Sequence, residues 1–364
     1  MAKRKLRVGV LFGGRSGEHE VSLRSAKFVL ESLDPEKYEV RPIGITKTGE
    51  WLLDDDPMPL LEGAVEPETR PAQAPVSLPT RMPERPAGTL DAPLDVVFPV
   101  LHGTYGEDGT IQGLLDLADV AYVGSGVTGS AVGMDKAIQK RVLHAHGIPV
   151  APSRVFTRRA WRTDPAAIQA EIESELGYPV FTKPCNLGSS VGISKAHNAD
   201  ELVPAMDLAA RYDRRLIVEA GIPNAREIEV SVLGNDEPEA SVCGEIIPGN
   251  EFYDYDAKYL DDTSQECIPA DIPNELAARI RRMAVEAFRA IDCAGFARVD
   301  FLVNGETYDV VLLEINTIPG FTEISQFPKL WRASGVSSRE LLDRLIELAL
   351  ERHADRRETS TSYD

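Results

Sequence analysis

The chain lacks several features that would place it in common classes. It has no apolar run near the roughly 20 residues a membrane-spanning helix needs. Its four cysteines, Cys185, Cys243, Cys267 and Cys293, form no CxxC pair. They therefore offer no zinc-knuckle spacing or disulfide framework and are read as free thiols in a reducing compartment. Positive charge is scarce: 39 Lys and Arg stand against 58 Asp and Glu, a formal net charge of −19. That balance argues against nucleic acid and an anionic membrane surface as main partners. It leaves small anionic substrates open, because a local basic pocket can override a global field. No internal repeat is visible. The basic residues 1–5 precede an apolar run at 6–12 that ends in Gly13-Gly14 without a cleavage-site pattern. The run is read as a first strand rather than a secretion signal, and a cytoplasmic location is expected.

What is present is 43% hydrophobic residues in 364, enough for two or three domains with real cores. The first unit alternates strand and helix. Strands are expected at 6–12, 38–45 and 96–101, and Leu23, Ala26, Leu30 and Leu33 recur at helical spacing. Such alternation predicts a parallel sheet with ligands at the C-terminal ends of its strands. Residues 54–93 are rich in proline, which leaves little room for regular elements, and read as a surface insertion. A second unit begins near 129, with strands at 179–183, 192–195 and 215–219 and a helix at 199–211. A third begins near 226. It has strands at 227–233, 239–247, 297–303 and 308–315, helices at 274–290 and 338–352, and an acidic, tyrosine-rich loop at 250–268. The expected division is 1–128, 129–225 and 226–354, with a polar, frayed tail at 355–364.

Five segments carry candidate chemistry. On the strand at 297–303, Val299, Phe301 and Val303 share one face, while Arg298 and Asp300 share the other. On the next strand Val311, Leu313 and Ile315 read as the apolar face, opposite Glu314 and Asn316. Two carboxylates and an amide on one face form a hard-oxygen set suited to Mg²⁺ shared with phosphates; the same pattern also fits a solvated sheet face. The segment KPCNLGSSVG at 183–192 places Lys183 before a loop whose small residues, Gly188, Ser189, Ser190 and Gly192, let backbone N–H groups approach phosphate oxygens. By itself it is equally a turn. The segment GGRSGEHEVS at 13–22 puts Glu18 and Glu20 at a helix start, where a carboxylate either complements the helix dipole or receives an ammonium group. In LHGTYGEDGTIQG at 101–113, His102 is either a ligand contact or a hydrogen-bonded structural histidine. The stretch YDYDAKY at 253–259 reads as a closing lid or as a surface loop with packed tyrosines.

Together, in this order and spacing from GGRSGEHEVS to EINTIPGFT at 314–322, these segments resemble the D-alanine–D-alanine ligases of the ATP-grasp superfamily across nearly the whole chain. The resemblance implies an α/β (α+β) three-domain ATP-grasp fold with an N-terminal parallel-sheet domain, and ATP clamped between the central and C-terminal units. It implies that Asp300, Glu314 and Asn316 hold two Mg²⁺ ions, with Mn²⁺ as a substitute. Lys136, Lys183 and Lys258 would meet nucleotide phosphates together with Ser190 of the loop, and Glu219 and Glu227 would lie near adenine and ribose. Glu18, Ser189 and Tyr259 would tie the lid at 250–268 to the first D-alanine. Arg298 and the Gly320 N–H would form the oxyanion site. His102 would contact the first substrate, and Ser325 and Gln326 the second. The implied role is making a D-alanyl-D-alanine peptidoglycan precursor through D-alanyl phosphate, in the cytoplasm, as a homodimer. The chain departs from relatives at Ala220, where a longer polar residue is frequent, at Pro223, a one-residue insertion, and at Gln326, where an apolar residue is common. The alternatives are a D-alanine–D-lactate ligase, another carboxylate–amine ligase on this superfold, and a nucleotide-binding regulator without turnover.

Overall fold

A computed structural model describes residues 4–53, 56–63, 93–247, 265–360 and 362. The N-terminal unit runs β1 (Leu6–Gly13), α1 (His19–Ser32), β2 (Tyr38–Ile45), β3 (Trp51–Leu52), α2 (Met58–Leu61), β4 (Val96–Val100), α3 (Thr110–Leu117) and β5 (Ala121–Tyr122). Its sheet has the order β3-β2-β1-β4-β5 and is parallel except for the short β2–β3 pair, as the strand–helix alternation predicts. Alternation along β1 sends Val8, Val10 and Phe12 to one buried face and Leu11 to the other, so both faces are covered. One departure lies in the proline-rich stretch: α2 is a single helical turn after Pro57 with Pro59 in its first turn, where a proline's fixed φ and missing N–H are tolerated. Residues 64–92 of that stretch lie outside the described residues.

The central unit comprises α4 (Val127–Met134), α5 (Lys136–Ala145), β6 (Ser153–Thr157), α6 (Arg158–Thr163), α7 (Pro165–Glu175), β7 (Val180–Pro184), β8 (Ser194–Ala196), α8 (Ala199–Tyr212) and β9 (Arg215–Ala220). Its sheet, β6-β9-β7-β8, is antiparallel throughout. Asp135 caps α5 by accepting the Ile138 N–H at 3.0 Å, and the Lys136 N–H donates to Cys185 O at 2.9 Å, fixing the helix start beside the end of β7.

The C-terminal unit comprises β10 (Ala225–Gly234), β11 (Glu239–Ile247), β12 (Gln265–Cys267), α9 (Asn274–Ala290), β13 (Gly295–Asn304), β14 (Val310–Asn316), α10 (Gln326–Ala333) and α11 (Ser338–Glu358). Its antiparallel sheet has the order β12-β11-β10-β13-β14. Ile228, Val230, Val232, Val299, Phe301 and Val303 are fully buried on one face, against Ile280, Ala284 and Phe288 of α9. The expected face of β14 needs correction. Val310, Leu312 and Ile315 are the buried set, while Val311 and Leu313 are only half-buried. The cause is a register shift beside Asp300, which pairs with Glu314 while Phe301 pairs with Leu312. The extra residue reverses the strand's parity midway, so Glu314 and Asn316 still share a face with Asp300 and Arg298.

The expected frayed tail also needs correction, because α11 continues to Glu358. Arg352 lies over the Tyr122 ring at 4.3 Å, His353 Nε2 is 3.1 Å from Asp119, and Arg356 pairs with Asp116, so the last turns are held against α3 and β5. The same helix packs Leu341, Leu342, Leu345 and Ile346 into the core formed by Val8, Val10 and Phe12. The end of the chain thus closes over its beginning. Phe321 meets Phe98 of the first sheet at 5.9 Å and Phe296 of the third at 6.1 Å, ring centre to ring centre. Among the described residues, no helix is long and apolar enough to cross a membrane.

Candidate active site

The site forms where loops from all three sheets meet. The C-terminal end of β1 turns through Gly13 and Gly14, both at positive φ, a conformation glycine adopts without strain. Glu18 follows at the head of α1, but its side chain makes no cap bond. Instead it accepts the Ser189 hydroxyl from the central unit. A side chain at Gly188 would lie 3.1 Å from Glu18 Oε2, and one at Gly103 would collide with it, so two glycines make room for this carboxylate. Glu20, its neighbour, faces outward to Lys47. Ser189 and Ser190 both adopt left-handed backbone conformations, φ 50° and 57°, in the turn that returns toward β8. Strain at two successive non-glycine residues is a feature of ligand loops more than of idle turns.

His102 follows β4 and is 4% exposed. Its Nδ1 is 3.0 Å from Ile318 O, which can only accept, so Nδ1 carries the proton. Its Nε2 then accepts from the Ser25 hydroxyl at 2.9 Å, and Ser25 Oγ accepts the Phe321 N–H at 3.2 Å. Both ring nitrogens are therefore committed to the protein. The ring clamps α1, the loop after β4 and the loop after β14 together, and the structural reading of this histidine fits better than the ligand-contact reading. Burial holds its pKa below the ordinary value, with Glu18 opposing. A lowered folded pKa contributes stability that is complete above the unfolded value, about 6.5, and is lost as pH falls through the folded value. The carboxyl groups on this loop cluster are Glu18 and Glu107, the latter largely protonated over this pH range. His102→Gln is expected to lower the urea midpoint at about pH 7.5 and to flatten its further fall toward about pH 5.5, measured beside the parent chain.

Glu107, in the same loop, accepts the Gly103 N–H at 2.6 Å and the Ile318 N–H at 3.3 Å. Burial and the nearby Glu18 push its carboxyl up to about 8.

On the central sheet Lys183 ends β7 and Glu219 lies on β9, with Lys183 Nζ donating to Glu219 Oε2 at 2.9 Å. Lys136, at the start of α5, donates to Leu187 O at 2.8 Å and lies 3.5 Å from Glu314 Oε2. It thus joins the loop after β7 to the polar face of the C-terminal sheet.

That face carries Arg298, Asp300, Glu314 and Asn316. Arg298 grips Asp300 with both Nε and Nη2, at 2.8 and 2.7 Å, and lies 3.3 Å from Glu229. Asn316 Nδ2 donates to Asp300 Oδ2 at 2.9 Å, leaving its oxygen for another partner. Burial works against the Arg298 charge, but Asp300 and then Glu229 outweigh it and hold its pKa well above the ordinary arginine value. Among the described residues no three His, Cys, Asp or Glu side chains gather as a metal cage. Two carboxylates and an amide oxygen do fit an ion whose remaining ligands are phosphates and water. Glu227 lies two residues before Glu229 on β10, on the same side of the strand, and pairs with Leu302.

In the loop after β14, a side chain at Gly320 would press on Ser325 Oγ at 3.0 Å, so the serine hydroxyl would have to shift to admit one. Ser325 Oγ accepts the Thr322 N–H at 3.0 Å. Gln326 is 7% exposed, and among the described residues neither of its amide atoms has a hydrogen-bond partner. Lys258, Tyr259 and residues 250–264 of the expected lid lie outside the described residues. Sequence reasoning missed Lys140, Glu229 and Glu107. The first two had a signal: Lys140 is four residues from Lys136 on a helix, and Glu229 alternates with Ile228 and Val230 on a strand.

Lys183 on the central antiparallel sheet and Lys136 at the head of helix α5, the latter against Glu314 on a second antiparallel sheet, with a strained small-residue loop between, fit an ATP-grasp ligase. Residues 7–125 match the family described as D-ala D-ala ligase N-terminus, and residues 142–347 match D-ala D-ala ligase C-terminus. A D-alanine–D-alanine ligase from Natranaerobius thermophilus is 51% identical over 365 residues, covering 99% of each chain. Among solved structures, the D-alanine–D-alanine ligase from Coxiella burnetii superposes with a TM-score of 0.81 at 38% identity, covering 98% of this chain and 97% of that one. The VanG D-Ala:D-Ser ligase from Enterococcus faecalis superposes at 0.80 with 36% identity, covering 95% and 100%. The chain belongs to the D-alanine–D-alanine ligase family.

Proposed function

We propose that the chain joins two D-alanine molecules into D-alanyl-D-alanine, a peptidoglycan precursor, with conversion of ATP to ADP and phosphate. The observation that carries this reading is Lys136, which contacts both the loop after β7 and Glu314 and so closes one cleft between the central and C-terminal sheets. In this reading the first D-alanine places its ammonium at Glu18 and its carboxylate toward the γ-phosphoryl group. Carboxylate oxygen attacks phosphorus, ADP leaves, and D-alanyl phosphate forms. The amine of the second D-alanine then attacks the carbonyl carbon, and phosphate leaves from the tetrahedral intermediate. Lys136, Lys183 and Ser190 hold the phosphates with Lys258, while Glu219 and Glu227 flank the adenosine. Arg298 and the Gly320 N–H receive the developing oxyanion. Ser325 and the start of α10 at Gln326 receive the second carboxylate. Ser189, with Tyr259, draws the lid over Glu18 and keeps water from the acyl phosphate.

Asp300, Glu314 and Asn316 would hold two Mg²⁺ ions, with Mn²⁺ as a substitute, which when bound neutralise phosphate charge. His102 acts through its clamp on Ile318 and Ser25, positioning the loop that carries Gly320. The three sheets correspond to domains 1–128, 129–225 and 226–354. The working form is a cytoplasmic homodimer, with neither nucleic acid nor membrane as a partner.

Glu18→Ala tests the substrate assignment. Losing a charge-assisted contact worth about 2 kcal/mol or more is expected to raise the KM for D-alanine about 30-fold or beyond, with ATP affinity within about twofold. Normal turnover of Glu18→Ala at low D-alanine would remove the assignment.

A further inference from the structure

Lys140 is a buried lysine to which the proposed mechanism gives no part. It lies on the buried face of α5, one turn beyond Lys136, and is 4% exposed. Its Nζ is 3.3 Å from Glu219 Oε1, while Lys183 Nζ is 2.9 Å from Glu219 Oε2. Glu219 and Lys183 are themselves 3% and 7% exposed. One carboxylate is thus held by two ammonium groups, one on each oxygen, in a setting shielded from water.

Burial lowers the Lys140 pKa from its ordinary value, and Glu219 opposes that. With both ammonium groups protonated the trio carries one net positive charge; with Lys183 and Glu219 alone it would carry none. A phosphate approaching a neutral pair meets the carboxylate's repulsion as well as the lysine's attraction. If it drew Lys183 away, it would leave Glu219 buried and uncompensated, an expensive state. A second cation on the far oxygen removes both penalties. Burial would raise the Glu219 carboxyl, but Lys140 and then Lys183 outweigh it and hold it below its ordinary value. Among the described residues the Lys140 nitrogen has no hydrogen-bond partner beyond this ion pair, and its atom is buried, so it has no path of its own to a ligand.

We propose that Lys140 is a positioning residue that holds Glu219 in place of Lys183, leaving the Lys183 charge available to a nucleotide phosphate. This rests on the reading of Lys183 as a phosphate contact.

The test compares ADP affinity by calorimetry, and KM for ATP and D-alanine, in Lys140→Met, Lys140→Arg, Lys183→Met, Glu219→Gln and the double Lys140→Met/Glu219→Gln. Lys140→Met is expected to weaken ADP binding and raise the KM for ATP about tenfold or more, with the KM for D-alanine within about twofold. Lys140→Arg should recover most of the loss. On the Glu219→Gln background, removing Lys140 should change ADP affinity by less than about twofold, because there is no carboxylate left for it to neutralise. That comparison stands even if Lys140→Met alone does not fold. Equal loss of affinity on both backgrounds, or parallel rises in both KM values, would overturn the proposal. Unchanged ADP affinity in Lys183→Met would instead remove the phosphate reading beneath it.

Discussion

Glu314→Gln is expected to lower kcat by about a thousandfold or more while leaving the melting temperature within a few degrees of the parent, a loss of about 4 kcal/mol of transition-state stabilisation. The side chain is 22% exposed and lies 3.5 Å from the Lys136 ammonium. Lys136 is buried but keeps its bond to Leu187 O when the carboxylate is neutralised, and the isosteric amide keeps the shape of β14. What it removes is one of two carboxylates that the register sets directly opposite each other, Asp300 and Glu314. With one carboxylate gone, a divalent cation held by Asp300, Glu314 and Asn316 would lose much of its protein grip. Steady-state assays at saturating ATP over a Mg²⁺ series check this. Weaker ion binding alone would be rescued at high Mg²⁺, whereas a kcat within tenfold of the parent at ordinary Mg²⁺ would take Glu314 out of the ion's reach.

Arg298→Lys is expected to lower kcat by about a hundredfold or more, with the loss confined to peptide-bond formation. The guanidinium is held by a fork onto Asp300 and from the other side by Glu229. An ammonium keeps the positive charge, so Glu229 and Asp300 are not left unpaired, but it cannot make the fork or project fixed donors toward an oxyanion. Arg298→Met is the contrasting case. It would leave two carboxylates that are 2% and 1% exposed without their cation, and is expected to cost about 3–5 kcal/mol of stability in urea unfolding. Rapid-quench measurements separate the two chemical steps. In Arg298→Lys a burst of ADP should survive while dipeptide appears slowly. Loss of the burst itself would place Arg298 in phosphoryl transfer instead.

The regular elements were legible where periodicity alone determines them. The strand at 38–45, the strand at 239–247 and the helix at 274–290 occur at those bounds, because alternation and helical spacing report a buried face directly. Other features depend on which distant face a residue meets. The parity of β14 reverses at a bulge that no local pattern announces. The course of α11 past Arg352 is set by Tyr122, Asp119 and Asp116, more than two hundred residues earlier. The commitment of both His102 nitrogens depends on Ile318, Phe321 and Ser25, three partners on two other segments. In the candidate site, Glu18 and Ser189 come together across 171 positions, and it was resemblance rather than spacing that paired them. Lys140 went unread because a lysine on a helix is ordinarily a solvated residue, and only the fold buries it.

The most direct measurement is product formation in one vessel: ADP and dipeptide quantified together with D-alanine or L-alanine, with and without Mg²⁺. The account predicts one ADP for each D-alanyl-D-alanine formed, with neither product from L-alanine nor without the cation. ADP release at the same rate whichever enantiomer is supplied, or with no dipeptide accompanying it, would contradict it.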